Sequence, residues 1–239
     1  ASSLTLYGVD RALKNPIPGR IVELDRSAFG LRSEHEFALA DWRLTTGFDL
    51  DTQRDDRREF GNDGLPNGAT VDDERVFDQV QYGARRIDQE EKVRSFGPFL
   101  SLEKDLGTAL TLTLAGRYDR YRFEVTDRFT TDGRASGGRD MDQFSPMAGL
   151  VYRPSPLTRL YGHIATAFQT PTTSELGNQP TGEGGFNPDL EPERILGFET
   201  GLRRHIPRLH LDIDLALYQL QVTNALIPFQ VESPDSEEI

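Results

Sequence analysis

Polar and apolar residues alternate one by one along most of this chain, and helical periodicity is scarce. Between Ala109 and Phe129, Leu110, Leu112 and Leu114 point one way while Thr111, Thr113, Arg117 and Asp119 point the other. Successive side chains of a strand leave opposite faces, so a period of two predicts a strand with one apolar and one polar face. Trp42, Leu44, Thr46, Phe48 and Leu50 oppose Arg43, Thr45, Gly47 and Asp49 in the same manner. Leu209, Leu211, Ile213, Leu215 and Leu217 oppose His210, Asp212, Asp214 and Tyr218. The pattern predicts about nine strands, near 3–13, 20–37, 40–55, 84–103, 108–129, 142–153, 157–169, 193–206 and 208–223.

The connections alternate in length. Short turns are expected at Glu103–Gly107, Arg153–Pro156 and His205–Arg208, and long polar loops at 56–83, 130–141 and 170–192. The link 14–19, Lys14-Asn15-Pro16-Ile17-Pro18-Gly19, is intermediate. Long links at one end and short links at the other are the asymmetry of an outer-membrane β-barrel, whose apolar face meets lipid and whose polar face lines water. A soluble sandwich, the alternative, would have a dry core between two sheets and loops of similar length at both ends. Several strands are also longer than the usual globular strand of about 5–6 residues.

Composition agrees with a wet interior. Of 239 residues 36% are hydrophobic and 28% charged, lean for one large dry core, while 9% aromatic content and ordered alternation speak against disorder. The net charge of −12 argues against nucleic acid as a partner, which needs clustered Lys and Arg. The absence of cysteine removes disulfides, thiolate metal sites and cysteine nucleophiles. The N-terminus, Ala1-Ser2-Ser3-Leu4-Thr5-Leu6, carries no signal-peptide pattern. No apolar run reaches the roughly 18 residues of a membrane helix, but a barrel strand needs only about 9–11.

Three segments carry a specific resemblance. The first is Phe144-Ser145-Pro146-Met147-Ala148-Gly149-Leu150-Val151-Tyr152. The second is Ala165-Thr166-Ala167-Phe168-Gln169-Thr170-Pro171, with Glu175-Leu176 soon after. The third is Asn187-Pro188-Asp189-Leu190-Glu191-Pro192-Glu193, followed by Glu199-Thr200-Gly201. In this order they resemble the F-x-P-x-x-G-L-x-Y, A-x-x-F-x-x-P…E-L and N-P-x-L-x-P-E…E-x-G segments of TonB-dependent outer-membrane receptors of the ferric-siderophore type. Gly116-Arg117-Tyr118-Asp119 is similar to a further element of that family. The likeness is good over residues 90–223, and residues 1–89 fit by strand pattern.

The resemblance implies an all-β, antiparallel transmembrane barrel, of which this chain supplies about nine of about 22 strands around a plugged lumen. Residues 1–239 are then expected to be one partial barrel domain, a fragment without the plug or the last strands. Location in the outer membrane of a Gram-negative bacterium is implied. So are contacts with its lipid and lipopolysaccharide, energy from the TonB-ExbB-ExbD complex through the plug, and import of a ferric siderophore or similar chelate. Cobalamin, haem or a sugar is the alternative cargo. No enzyme activity, cofactor or resident metal is expected.

Candidate residues follow from chemistry. An anionic chelate calls for Arg and aromatic groups on outward loops, which points to Arg57, Arg58, Phe60, Arg134, Arg139, Phe168, Gln169 and Phe186. The motif residues Pro171, Glu175, Asn187, Pro188, Leu190, Pro192, Glu193, Glu199 and Gly201 are expected to shape the loop. Proline holds extended backbone, Asn187 caps a turn, and Glu193 and Glu199 are candidates to tie the loop to the wall. Arg117, Arg120 and Arg122 are expected to pair with Asp119, Glu124 or neighbouring acids inside the lumen. His205 and His210 bracket a turn, and the acids around Asp49–Asp63 lack calcium-loop spacing. Both groups read as solvated rather than metal-binding.

Overall fold

Among the described residues, nine long strands form one antiparallel sheet in sequence order, each hydrogen-bonded to the next. The structure, a computed structural model, describes residues 1–69, 76–131, 133, 135–177 and 186–227. The strands are β1 (Ser2–Ile17), β2 (Gly19–Leu39), β3 (Trp42–Asn62), β4 (Tyr82–Leu106), β5 (Leu110–Asp127), β6 (Gly137–Ser155), β7 (Thr158–Gln169), β8 (Glu193–Ile206) and β9 (Leu211–Thr223). A single α-helical turn, α1 (Thr173–Leu176), lies between β7 and β8. Among the described residues β1 and β9 are the free edges.

Register decides what each face meets. The row Phe37, Leu44, Leu102, Leu114, Ala148, Ile164, Phe198 runs across seven strands, residue opposite residue. These side chains are not buried: Leu114 is 44% exposed, Ile164 48% and Phe198 50%. A continuous apolar sheet face with nothing packed on it is the signature of a lipid-facing wall. The band has aromatic borders. Trp42 and Tyr152 lie near the short turns, and Phe96, Tyr118 and Phe144 lie about ten residues up the strands. Beyond that level the same face becomes charged, as in the row Thr52, Arg94, Arg122, Asp140.

The opposite face is polar and cross-linked by ion pairs. Asp49 accepts from Arg32 Nε at 2.6 Å and pairs with Arg117 Nη1 at 2.5 Å, and Arg117 also holds Asp119 at 2.7 Å. Arg26 grips Asp55 through two parallel bonds of 2.8 and 2.7 Å. The Arg32 and Arg26 forks span the neighbouring strands β2 and β3, Arg117 reaches Asp49 from β5 across β4, and together they satisfy carboxylates that are nearly buried. Large side chains also lie over glycines on the adjacent strand: a Cβ on Gly201 would meet the Tyr161 ring at 2.4 Å.

The strands outrun the hydrophobic pattern at one end. β3 continues to Asn62 and β6 begins at Gly137, so the expected loops 56–83 and 130–141 shrink to 63–81 and 128–136. Where both faces are polar, alternation no longer shows in hydropathy, yet the ladder continues because cross-strand pairs such as Arg58–Asp25 replace apolar contacts. The link 14–19 is not a loop. Ile17 pairs with Arg20 around a tight Pro18–Gly19 turn, with Gly19 at φ 80. Proline followed by a glycine of positive φ suits a type II turn. The turn is pinned by Gly19 N donating to Leu65 O at 2.7 Å. At the other end β9 starts at Leu211, because Pro207–Leu209 forms a 3-10 turn and His210 takes the left-handed conformation. The small buried core lies at the long-loop end, where Phe123, Met141 and Leu176 meet.

Candidate functional site

The polar wall and the loop that follows β7 form one unit. α1 is built by a capping box: the Thr172 side chain accepts from the Glu175 backbone N–H, and the Glu175 carboxylate accepts from Thr172 N at 2.7 Å. Two amide donors at the start of the turn are thereby satisfied reciprocally. The turn presents Leu176, fully buried, to Phe123 of β5 and Met141 of β6, and Phe186, Leu190, Val93 and Tyr121 pack around them. Pro171 is also fully buried. The returning limb is tied to the outgoing one by Asn187 N donating to Leu176 O at 2.6 Å.

Polar bonds fasten the loop to the wall. Arg57 Nη1 on β3 donates to Ser174 Oγ at 2.5 Å, and the same guanidinium lies 3.6 Å from both Glu59 and Glu91. The Thr173 hydroxyl donates to Glu91, and Arg139 on β6 donates to the Asn187 carbonyl. Glu91 is only 4% exposed, so its charge is compensated by Arg57, Thr173 and Gln89 rather than by bulk water.

The candidate residues divide by face. Arg57 and Arg139 reach the inward loop, and Phe186 joins its apolar cluster. Phe168 meets the Tyr121 ring edge-on at 6.0 Å between centroids, and Gln169 ends β7 beside it. Arg57, Arg58, Phe60 and Arg139 are strand residues, not loop residues. Arg58 and Phe60 lie on the other face. Arg58 pairs with Asp25 at 3.0 Å, and Phe60 packs against Tyr82 and Arg85. Arg134 lies outside the described residues.

Among the motif residues, Asn187 shapes its own turn, its side chain accepting from Asp189 N at 2.9 Å. Leu190 packs on the cluster. Pro188 and Pro192 flank it in the returning limb, which enters β8 at Glu193. Glu199 does not tie the loop to the wall; it accepts from Tyr161 Oη at 2.9 Å further down β7. The ties come from Arg57, Glu91, Thr173, Ser174 and Arg139. Of these, Glu91, Thr173 and Ser174 escape a reading by type alone, although Thr172-x-x-Glu175 is a visible capping-box signal. The three arginines of β5 also divide. Arg117 pairs with Asp119 and Asp49 on the polar wall, while Arg120 and Arg122 pair with Asp140 and Glu124 on the outer face. His205 is held by Asp212 at 2.7 Å, and no cluster of His, Asp and Glu among the described residues is set to hold a metal ion.

An inward-folded loop on the ion-paired wall of a lipid-facing sheet is the context in which the family comparison is decisive. The model of the TonB dependent receptor-like β-barrel matches residues 5–236. The chain belongs to this family. It is part of an outer-membrane β-barrel of a Gram-negative bacterium and its ion-paired face is the lumen wall; the short turns after β2, β4, β6 and β8 are periplasmic, and the opposite end, with the long loops and the Pro18–Gly19 turn, is extracellular.

Solved structures agree on the fold. The copper transporter OprC matches with a TM-score of 0.65 and 19% identity over 92% of this chain and 35% of its own. The ferripyoverdine receptor of the outer membrane of Pseudomonas aeruginosa matches with 0.62 and 14%, over 92% and 30%. The ferric yersiniabactin uptake receptor FyuA from Yersinia pestis matches with 0.59 and 12%, over 92% and 33%. The chain thus spans about a third of the length of these receptors.

Proposed function

We propose that the receptor containing this chain binds a ferric siderophore or similar metal chelate at its extracellular side and imports it with energy from the TonB complex. The observation that supports this reading is the loop of α1 folded onto a lumen wall that carries Arg57 and Arg139. Both guanidinia point at loop oxygens, so a chelate bearing carboxylate or other anionic oxygens can take the same donors when Ser174 and Asn187 release them. Phe186, Phe168 and Tyr121 supply aromatic surface beside them for the organic part of such a ligand.

The test is uptake of radiolabelled iron by a strain lacking the receptor and complemented with the full-length gene, supplied in turn with carboxylate, hydroxamate and catecholate chelates. Accumulation that needs both the receptor and an intact TonB system is the expected result. Uptake of cobalamin, haem or a sugar with no iron chelate transported would overturn the cargo assignment.

A further inference from the structure

The ladder between β6 and β7 is shorter than those on either side of it. β5 pairs with β6 up to Val125–Gly137, and β7 with β8 up to Gln169–Glu193, but β6 and β7 pair no higher than Met147–Ala165. Among the described residues, no strand pairs with Gly137–Pro146 on the β7 side. The break falls at Pro146. Backbone groups of an antiparallel strand point alternately to its two neighbours, and Arg153 N donates to Ala109 O on the β5 side. The even-numbered residues of β6 therefore turn their N–H towards β7, and at the next position in register, opposite Thr166, Pro146 has none. Above it the open edge is protected. The Gln143 side chain donates to the Phe144 carbonyl at 3.1 Å, and Asp140 and Asp142 add charge. β7 leaves the wall at this level. Phe168 has the parity of lipid-facing Ile164, yet its ring meets Tyr121 of β5, on the far side of β6.

We propose that the arm beyond this break, Thr166–Gly177 together with Phe186–Glu193, has two positions. In one it is docked on the lumen wall with the β6–β7 seam open, as in the structure. In the other the strand end has returned to the wall, the seam is closed, and Arg57 and Arg139 are uncovered together. The arm moves as one piece because Asn187 N donates to Leu176 O at 2.6 Å. Its bonds to β3, β4 and β6 run through side chains: Arg57 to Ser174, Arg139 to the Asn187 carbonyl, and Thr173 to Glu91. Such contacts exchange without unfolding a ladder. The two positions oppose comparable gains. Docking buries Leu176 and engages both arginines. Closing the seam adds ladder bonds, less the one that Pro146 cannot give. Ser174 and Asn187 ride on the same arm, so one movement frees both guanidinia. The moving part includes barrel strand and not loop alone. The inference rests on the barrel assignment and holds whatever the cargo.

The experiment uses the full-length receptor in intact outer membranes. Residues 1–239 contain no cysteine, so introduced pairs report cleanly once any cysteine elsewhere is replaced. Ser145→Cys with Ala167→Cys is the upper pair, which a closed seam would bring to about 4.5 Å between Cα atoms, within disulfide reach. Met147→Cys with Ala165→Cys, inside the ladder, is the reference pair. The reference pair should oxidise readily and the upper pair slowly. Adding Arg57→Ala and Arg139→Ala should speed the upper pair about tenfold, as loss of charge-assisted bonds shifts a two-state equilibrium, and leave the reference pair unchanged. Once the upper disulfide has formed, the arm should be cleavable by protease added to intact cells. If the arginine variant does not reach the membrane, Leu176→Ala loosens the apolar side of the docking instead, and the same acceleration is expected. Equal oxidation of the two pairs without further substitution, an upper pair indifferent to the arginine and leucine changes, or a disulfide-closed seam with a protease-resistant arm would each overturn the proposal. Chelate uptake, read in parallel, reports on the transport reading alone.

Discussion

Arg57 and Ser174 are 117 positions apart in sequence, and the guanidinium of one donates to the hydroxyl of the other at 2.5 Å. This contact joins β3 to the loop after β7 across the lumen wall. The Arg57 side chain is 18% exposed and also neutralises Glu59 and Glu91. Arg57→Ala should weaken loop docking by about 1.5–3 kcal/mol, the range for a hydrogen bond to a charged group. Hydrogen exchange of the full receptor should speed up in 170–177 and 186–192 while the strand amides stay protected. Unchanged loop protection would show that the bond carries no net stability.

Leu176→Ala tests the apolar half of the same docking. Leu176 is fully buried against Phe123 and Met141, and truncating a buried leucine costs about 2–5 kcal/mol. The loop should become cleavable by protease on intact cells, with no change in the heat-modifiable migration that reports barrel closure. A protease-resistant loop in this variant would mean that the polar ties suffice.

Tyr161 covers Gly201 so closely that a Cβ there would lie 2.4 Å from the ring. Gly201→Val should therefore lower the thermal midpoint of the barrel, with an overpacking cost of about 1–3 kcal/mol. Combining it with Tyr161→Ala should recover part of the loss, because the clash and the ring are removed together. Additive losses in the double variant would contradict the ring-over-glycine contact.

The two faces of β4 should respond oppositely to charge. Leu100 belongs to the lipid-facing set and is 45% exposed, whereas the next residue, Ser101, lies on the lumen face. Leu100→Arg should cost about 2–4 kcal/mol near the bilayer midplane, while Ser101→Arg should cost far less because it meets water. Folding efficiency into lipid vesicles, followed by gel migration, distinguishes them. Equal penalties would reverse the assignment of faces.

Glu90, above the lipid band on β4, is held below the ordinary carboxylate range first by its bond to Lys92 and further by Arg54 and Arg128. A depressed native pKa means that stability is present above the unfolded value, about 4.3 for Glu, and is lost as pH falls through the lower native value. Glu90→Gln should flatten the acid limb of the thermal midpoint against pH in the full receptor. Superimposable acid limbs for variant and wild type would remove Glu90 from the acid response.

Strand number and the sorting of apolar from polar faces within the lipid-facing band were legible in the sequence, because a strand's side chains alternate by backbone geometry alone. The row from Phe37 to Phe198 is that alternation brought into register. The family was legible too, since Asn187–Glu193 and Phe144–Tyr152 are local motifs. Tertiary structure decided the rest. It set how far β3 and β6 extend, because their upper parts are polar on both faces and only cross-strand ion pairs reveal the ladder. It sent Arg57 to the lumen and Arg58 to the outside, a distinction that needs the absolute face and not merely the period. It also brought Arg57, Glu91 and Arg139 to α1, over separations that no local pattern encodes. Local backbone preference is written residue by residue, but which distant side chains meet depends on sheet register and on where a loop finds apolar surface to bury.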